Sequence, residues 1–261
     1  MTQLKTDIST PTLTFEEYLY YQGKPEVIYE LYRGKLIEMP TPTGLHTRIC
    51  HFLTAQFQRY LVSHNLPLVA TSVTGVRTED RTSRIPDVVV CSAELWERVC
   101  NRKGAGVLDF EEQPRLVVEV TSDKWREDYI LKRAEYALVN IPEYWIVDPN
   151  KSKVIICFNP NNEHGYESRE FLPGQEIESP LFTDFILPVN VLLFPPVVED
   201  LIREEQAQRQ QLEQRAEEER QRAEEEHQRA QEERQRAQEE RQRADRLAQR
   251  LRDMGIDPDA V

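Results

Sequence analysis

The chain is predicted to form a mixed α/β domain followed by one long charged helix, and three observations carry that prediction. Several runs rich in Val, Ile and Tyr alternate or stay apolar over a strand's length between turn residues. Segments with apolar residues at helical spacing lie between those runs, the interleaving expected of a sheet covered by helices. From about Glu199 to Asp253 the composition changes to Glu, Gln, Arg and Ala almost alone. The roughly 195 residues before that point hold the core-forming side chains and suffice for one sizeable hydrophobic core.

Residues 1–13 are polar and read as a loose N-terminus, and the folded domain is placed at 14–197. Thr14-Phe-Glu-Glu-Tyr-Leu19 opens it as a short helix, with Thr14 as N-cap and Glu17 as its capping-box partner. Residues 27–39 read as a hairpin that turns at Arg33-Gly34. After the Pro-rich turn at 40–43, Ile49, Phe52, Leu53, Phe57 and Leu61 recur at helical spacing, which predicts a helix from Leu45 to Leu61. Strands are expected at 67–76, 86–91 and 115–121, then an amphipathic helix over 127–139. Strands at 143–148 and 153–158 flank a Pro-Asn turn, and 166–195 closes the domain with a further β-element and a Pro-rich segment. The run from 115–121 through the helix to 143–148 is a crossover between parallel strands.

Residues 198–254 carry a seven-residue period, with Ala216, Ala223, Ala230, Ala237 and Ala244 in register and Leu251 continuing it. Glu218–Arg222 and Glu225–Arg229 are favourable pairs one turn apart. Three residues after each of the first four alanines stands Glu219, Glu226, Glu233 or Glu240, so over that stretch the second apolar position of a coiled coil is missing. A solvated single helix and a weak coiled coil both fit, and 255–261 is a tail.

The formal net charge is −13; residues 199–253 hold 17 acids and 13 bases, which leaves −9 for the rest. Such acidity argues against nonspecific nucleic-acid binding through a basic surface, though not against a site whose acids gather around metal ions. The four cysteines, Cys50, Cys91, Cys100 and Cys157, form no CxxC pair, so neither disulfides nor a structural zinc site is implied. With no signal-like segment and no apolar run of membrane-spanning length, a cytoplasmic protein with free thiols is the expectation.

One residue stands out chemically. Glu119 lies inside the apolar run Arg115-Leu-Val-Val-Glu-Val-Thr-Ser122, where a charge is costly unless it faces water or has a partner. Alternation places Val117, Glu119 and Thr121 on one face of that strand and Leu116, Val118 and Val120 on the other. Asp87, after Pro86, opens a second apolar strand. Two carboxylates on neighbouring strands can converge on a hard cation such as magnesium; without one they repel. On the helix over 127–139, Asp128, Lys132 and Glu135 share one face, and Leu131, Ala134 and Leu138 are expected to pack inward. No phosphate-binding loop, dinucleotide fingerprint or nucleophile elbow is present.

Pro86-Asp87, some thirty residues ahead of Glu119-Val-Thr121 with a helix following, resembles the PD-(D/E)XK nuclease superfamily. More closely, YELYRGKLIEMPTPTGLH, RIPDVVV, LVVEVTS and DYILKRAEYALVNIPEYWIVDP resemble the Uma-two family of restriction-endonuclease-like proteins, from about Thr14 to Phe194. The resemblance implies a restriction-endonuclease-like mixed central sheet flanked by helices, and a metal-dependent phosphodiesterase site for nucleic acid, chiefly DNA. Carried over by position, Asp87 and Glu119 are the ligands of Mg2+ or Mn2+, and Glu30 is the upstream acid completing the cluster. The superfamily's lysine is absent at Thr121, and Lys132 on the following helix takes its place, with Lys124 in the loop as competitor. His46, at the start of the first long helix, is a candidate substrate contact, whereas His51 and His64 fit no ligand spacing. Nucleases of this superfamily often dimerise, so a homodimer is expected. The competing reading is a non-cleaving protein of the same fold that acts as a scaffold through its charged helix.

Overall fold

The computed structural model describes residues 12–121, 126–161 and 163–254 and divides into two compact units, 1–198 and 199–261. The first unit opens with α1 (Phe15–Leu19), whose Thr14 and Glu17 side chains cap each other's backbone as the capping box requires. The hairpin β1 (Tyr29–Tyr32) and β2 (Lys35–Glu38) turns at Arg33 and Gly34, both at positive φ. That combination matches the right-handed twist of the flanking strands. Next come α2 (Gly44–Ser63), capped by Thr43, then β3 (Leu68–Thr71), β4 (Gly75–Glu79), β5 (Thr82–Arg84) and β6 (Val88–Ser92). They lead to α3 (Ala93–Cys100), β7 (Val107–Leu108) and β8 (Leu116–Val120). A π-helical turn, Glu127–Lys132, runs into α4 (Arg133–Leu138), followed by β9 (Glu143–Asp148), β10 (Lys153–Asn161) and β11 (Gly165–Phe171). The pair β12 (Glu176–Glu178) and β13 (Ile186–Pro188) and α5 (Val189–Leu193) close the unit.

The strands form a mixed six-stranded sheet, in the order β11-β10-β9-β8-β6-β3, and a five-stranded sheet, β2-β1-β5-β4-β7. Among the described residues only β8 and β9 run parallel in the six-stranded sheet, and the π-helical turn and α4 lie between them in the chain. Its middle strands are buried on both faces, which explains why they read as continuous apolar runs. On one face Phe57 of α2 stacks on Phe185, ring centroids 4.7 Å apart, and meets Trp145 of β9 edge-on at 5.4 Å. On the other, Leu95 and Val99 of α3 and Tyr136 and Ala137 of α4 join Val89, Val117, Ile146 and Cys157 in one cluster. Each such fully buried aliphatic or aromatic side chain stabilises the fold by roughly 1.5–3 kcal/mol.

Three expectations change. Residues 67–76 are not one strand: β3 belongs to the six-stranded sheet and β4 to the five-stranded one, and the chain turns between them through Val73 at φ 56°. The helix α3 and the short strands β5 and β7 had no counterpart in the reading of the sequence. The face of the 127–139 segment is inverted: Asp128, Lys132 and Glu135 are buried, while Leu131 and Leu138 are exposed. The physical reason lies in the partners waiting inside, described next, which satisfy the charges that water otherwise would.

The helix α6 (Val198–Asp253), about 84 Å long at 1.5 Å per residue, supplies the second unit from its second residue, Glu199, onward. None of its residues is buried. Among the described residues no helix is long and apolar enough to cross a membrane.

Candidate active site

Five elements deliver charged side chains to one buried region. Glu30 comes from β1, Arg84 from the end of β5, Glu119 from β8, Asp128 and Lys132 from the π-helical turn, and Glu135 from α4. All six are at most 7 % exposed. A π-helical turn is uncommon and recurs at functional sites. Here it carries Asp128 and Lys132 inward together, and α4 continues their face to Tyr136.

Lys132 is the hub. Its Nζ lies 2.8 Å from Glu119 Oε2, 3.3 Å from Asp128 Oδ1 and 3.9 Å from Glu30 Oε1. The Tyr136 hydroxyl donates to the other Glu119 oxygen at 2.8 Å. Glu119 therefore escapes the cost of its apolar strand by binding a cation on one oxygen and a hydroxyl on the other. Arg84 is the second hub. Its Nε and Nη2 each reach Glu135 at 2.7 Å, and Nη1 reaches Glu30 Oε2 at 3.3 Å. Thr78 donates to Glu135 and the Ile85 backbone N–H to Glu30, so both carboxylates are held on two sides.

Asp87 stands on the open side, its side chain 20 % exposed. Its Oδ2 accepts from the Val120 N–H at 2.7 Å, next to Glu119 in the chain, and lies 3.3 Å from His46 Nε2. Cys50, one turn along α2, places its sulfur 3.5 Å from His46 Nδ1. Glu30, Glu119 and Lys132 thus meet directly, and Asp87 joins them through the backbone of β8. Lys124 lies outside the described residues.

Burial pushes the Glu119 carboxyl well above the ordinary range; Lys132 opposes that shift, while Asp128, Asp87 and Glu30 add to it. Asp128 moves up as well, by burial against the pull of Lys132. Burial disfavours the Lys132 ammonium, but Glu119, Glu30 and Asp128 outweigh it and hold the proton firmly. Burial likewise disfavours charged His46, and Asp87 more than compensates, leaving its pKa raised. Burial pushes the Cys50 thiol far up.

The donors around Lys132 are oxygens, the type a hard divalent cation prefers, but both Glu119 oxygens are taken by Lys132 and Tyr136. Among the described residues only His46, Cys50 and Asp87 bring ligand atoms from three residues within 4.8 Å of one another. Five carboxylates, Glu30, Asp87, Glu119, Asp128 and Glu135, face only two permanently charged bases, Lys132 and Arg84. Oxygen ligands in negative excess are what magnesium and manganese prefer. Thr121, on the Glu119 face of the strand, has a buried hydroxyl with no hydrogen-bond partner among the described residues. It stands where the superfamily's lysine was expected.

Reading the sequence missed Arg84 and Cys50 as members of this region, and Tyr136 as the donor to Glu119. Arg84 was signalled only by its place two residues before Pro86-Asp87. Tyr136 continues the spacing of Asp128 and Lys132 by one more turn.

A mixed sheet with acids on adjacent strands and a lysine on the helix that follows is a restriction-endonuclease-like architecture. The model of the Uma2 family, described as "Putative restriction endonuclease", matches residues 15–190, and the chain belongs to that family. A solved structure with a similar fold is described as a putative nuclease belonging to DUF820, from Anabaena variabilis. It is 19 % identical, with a TM-score of 0.54 over 70 % of this chain and 98 % of that one. No curated protein matches the chain.

Proposed function

We propose that the chain is a metal-dependent phosphodiesterase that cuts nucleic acid as an endonuclease, with DNA as substrate and Mg2+ or Mn2+ as its ion. The observation that carries this reading is the excess of carboxylates over bases around Lys132. Asp87 and Glu119 would ligate the ion, with Glu30 completing the set. A bound divalent ion acidifies a water and polarises the phosphoryl oxygen. Lys132 contributes a fixed positive charge near the phosphate, since its proton is too firmly held for it to serve as a base. Tyr136 and Lys132 hold the Glu119 carboxylate in one orientation, and Arg84 with the Ile85 N–H does the same for Glu30. His46, 3.3 Å from Asp87 on the open side, would meet the substrate.

With −9 outside the helix, the domain offers little general attraction for a polyanion, so the ion and Lys132 must supply the local positive field. A cytoplasmic location and a homodimer belong to the same proposal, but the helix is a poor dimerisation element. With the alanines at position a, the flanking e and g positions hold Arg220 and Arg222, Arg234 and Arg236, or Arg241 and Arg243. A parallel pair would set arginine against arginine and glutamate against glutamate.

Manganese titration by calorimetry, together with cleavage assays on DNA and RNA, tests the reading. Binding and cutting should vanish in Asp87→Ala and Glu119→Gln, and cutting should fall by about 10²–10³-fold in Lys132→Met. Binding without cutting on any substrate would select the scaffold alternative; neither binding nor cutting would defeat the site assignment.

A further inference from the structure

We propose that His46, Cys50 and Asp87 form a second cation position, selective for zinc, which shares Asp87 with the oxygen-rich position around Glu119. The sequence places His46 and Cys50 four residues apart in the first turns of α2, so both side chains leave the helix on one face. The chain then returns through β3, β4 and β5, and Pro86-Asp87 at the start of β6 brings the carboxylate against that face.

His46 Nδ1 is 3.5 Å from Cys50 Sγ, His46 Nε2 is 3.3 Å from Asp87 Oδ2, and one ligand atom from each residue lies within 4.8 Å of the others. Zinc bonds of about 2.0–2.3 Å in tetrahedral geometry set neighbouring ligand atoms roughly 3–4 Å apart. The two short contacts use opposite nitrogens of the imidazole and only one can bind the ion, so with one ligand atom from each residue inside 4.8 Å the side chains must draw in further when an ion binds. A sulfur, an imidazole nitrogen and a carboxylate oxygen make a borderline-to-soft set, which zinc accepts and magnesium does not.

Three protein ligands leave the fourth tetrahedral position open, the mark of a catalytic and not a structural zinc site. Exposure agrees with that arrangement. The His46 and Asp87 side chains are 19 % and 20 % exposed, so the open position faces solvent, while Cys50 lies buried behind them. On coordination the Cys50 thiol gives its proton to solvent and binds as the thiolate; nothing is oxidised or reduced. This position goes beyond the proposed nuclease chemistry, with which it shares Asp87 and His46; an ion held there would take the place of the direct contact between His46 and substrate.

Cobalt titration of the full chain, used as the spectroscopic stand-in for zinc, tests the proposal. A Cys100→Ser background removes the exposed thiol. A thiolate-to-cobalt charge-transfer band in the near ultraviolet is expected, with visible bands of tetrahedral intensity, and zinc should displace both. Cys50→Ser should abolish the charge-transfer band. It should also weaken zinc binding by more than the about 10–100-fold that loss of an outer-shell partner costs. His46→Asn should weaken zinc similarly, and circular dichroism checks that each variant is folded; Cys50→Ala serves if the serine does not fold. Glu119→Gln, which disables the oxygen-rich site, should keep the band, so the two readings fail separately. No band in the parent, a band that survives in Cys50→Ser, or one lost in Glu119→Gln would overturn the proposal.

Discussion

Substituting methionine for Arg84 takes three charge-assisted hydrogen bonds out of a region with almost no access to water. Arg84 is 2 % exposed and grips Glu135 with two nitrogens at 2.7 Å and Glu30 with a third at 3.3 Å. Methionine fills much of the space but leaves both carboxylates short of their partner. Removing one member of a buried ion pair costs about 3–5 kcal/mol. Domains of this kind hold about 5–15 kcal/mol in total, so the variant should be much less stable without being wholly unfolded. Thr78 and the Ile85 N–H remain as donors and keep the loss near the lower end of that range. Urea unfolding of the parent, Arg84→Met, Glu135→Leu and the double variant forms a cycle. The double variant should recover about 1–3 kcal/mol of the summed losses, because it no longer buries an unpaired Glu135. It should not recover manganese affinity, since Glu30 still lacks its guanidinium. A loss below about 1 kcal/mol in Arg84→Met, or strictly additive losses in the cycle, would refute the reasoning.

Lys132→Met should lower cleavage by about 10²–10³-fold, the usual effect of deleting one charge-stabilising donor, with the change in kcat when single-turnover rates are compared. A variant that keeps its rate would remove Lys132 from the chemistry. Asp148 resists a shift upward from burial because Tyr129, the Lys151 N–H and the Lys151 ammonium bind its carboxylate, and its pKa ends below the ordinary value. A carboxyl depressed in the folded state adds stability above its unfolded pKa, near about 3.9, and loses it as pH falls through the folded value. The stability difference between the parent and Asp148→Asn should therefore be present at neutral pH and shrink below about pH 4, as read by urea unfolding. Truncation after Val198 should leave the sedimentation state of the first unit unchanged, given the like charges that flank the alanine stripe of α6.

Local signals in the sequence carried far in this protein. The capping box at Thr14 and Glu17, the turn at Arg33-Gly34 and the strand–helix–strand crossover from β8 to β9 all depend on residues near each other in the chain. The acid pattern was legible for a related reason: a glutamate inside an otherwise apolar strand has to be met by something. What met it was not legible. Tyr136 follows Glu119 by 17 residues, but Arg84 and Glu135 are 51 apart, and Cys50 and Asp87 come from an early helix and a later strand.

The inverted helix face shows the limit most clearly. A period of 3.6 residues locates two faces on residues 127–139, and hydrophobicity would turn Leu131 and Leu138 inward. The interior at that point already holds Glu119 and Glu30, so the favourable partner for it is Lys132, and the leucines are left outside. The sequence by itself determined the elements, the long solvated helix and the residues capable of chemistry, because propensity, period and residue type act locally. Only the tertiary structure decided which face is buried, which strand enters which sheet and which charges meet. Those outcomes depend on desolvation and Coulomb terms between residues brought together by the fold.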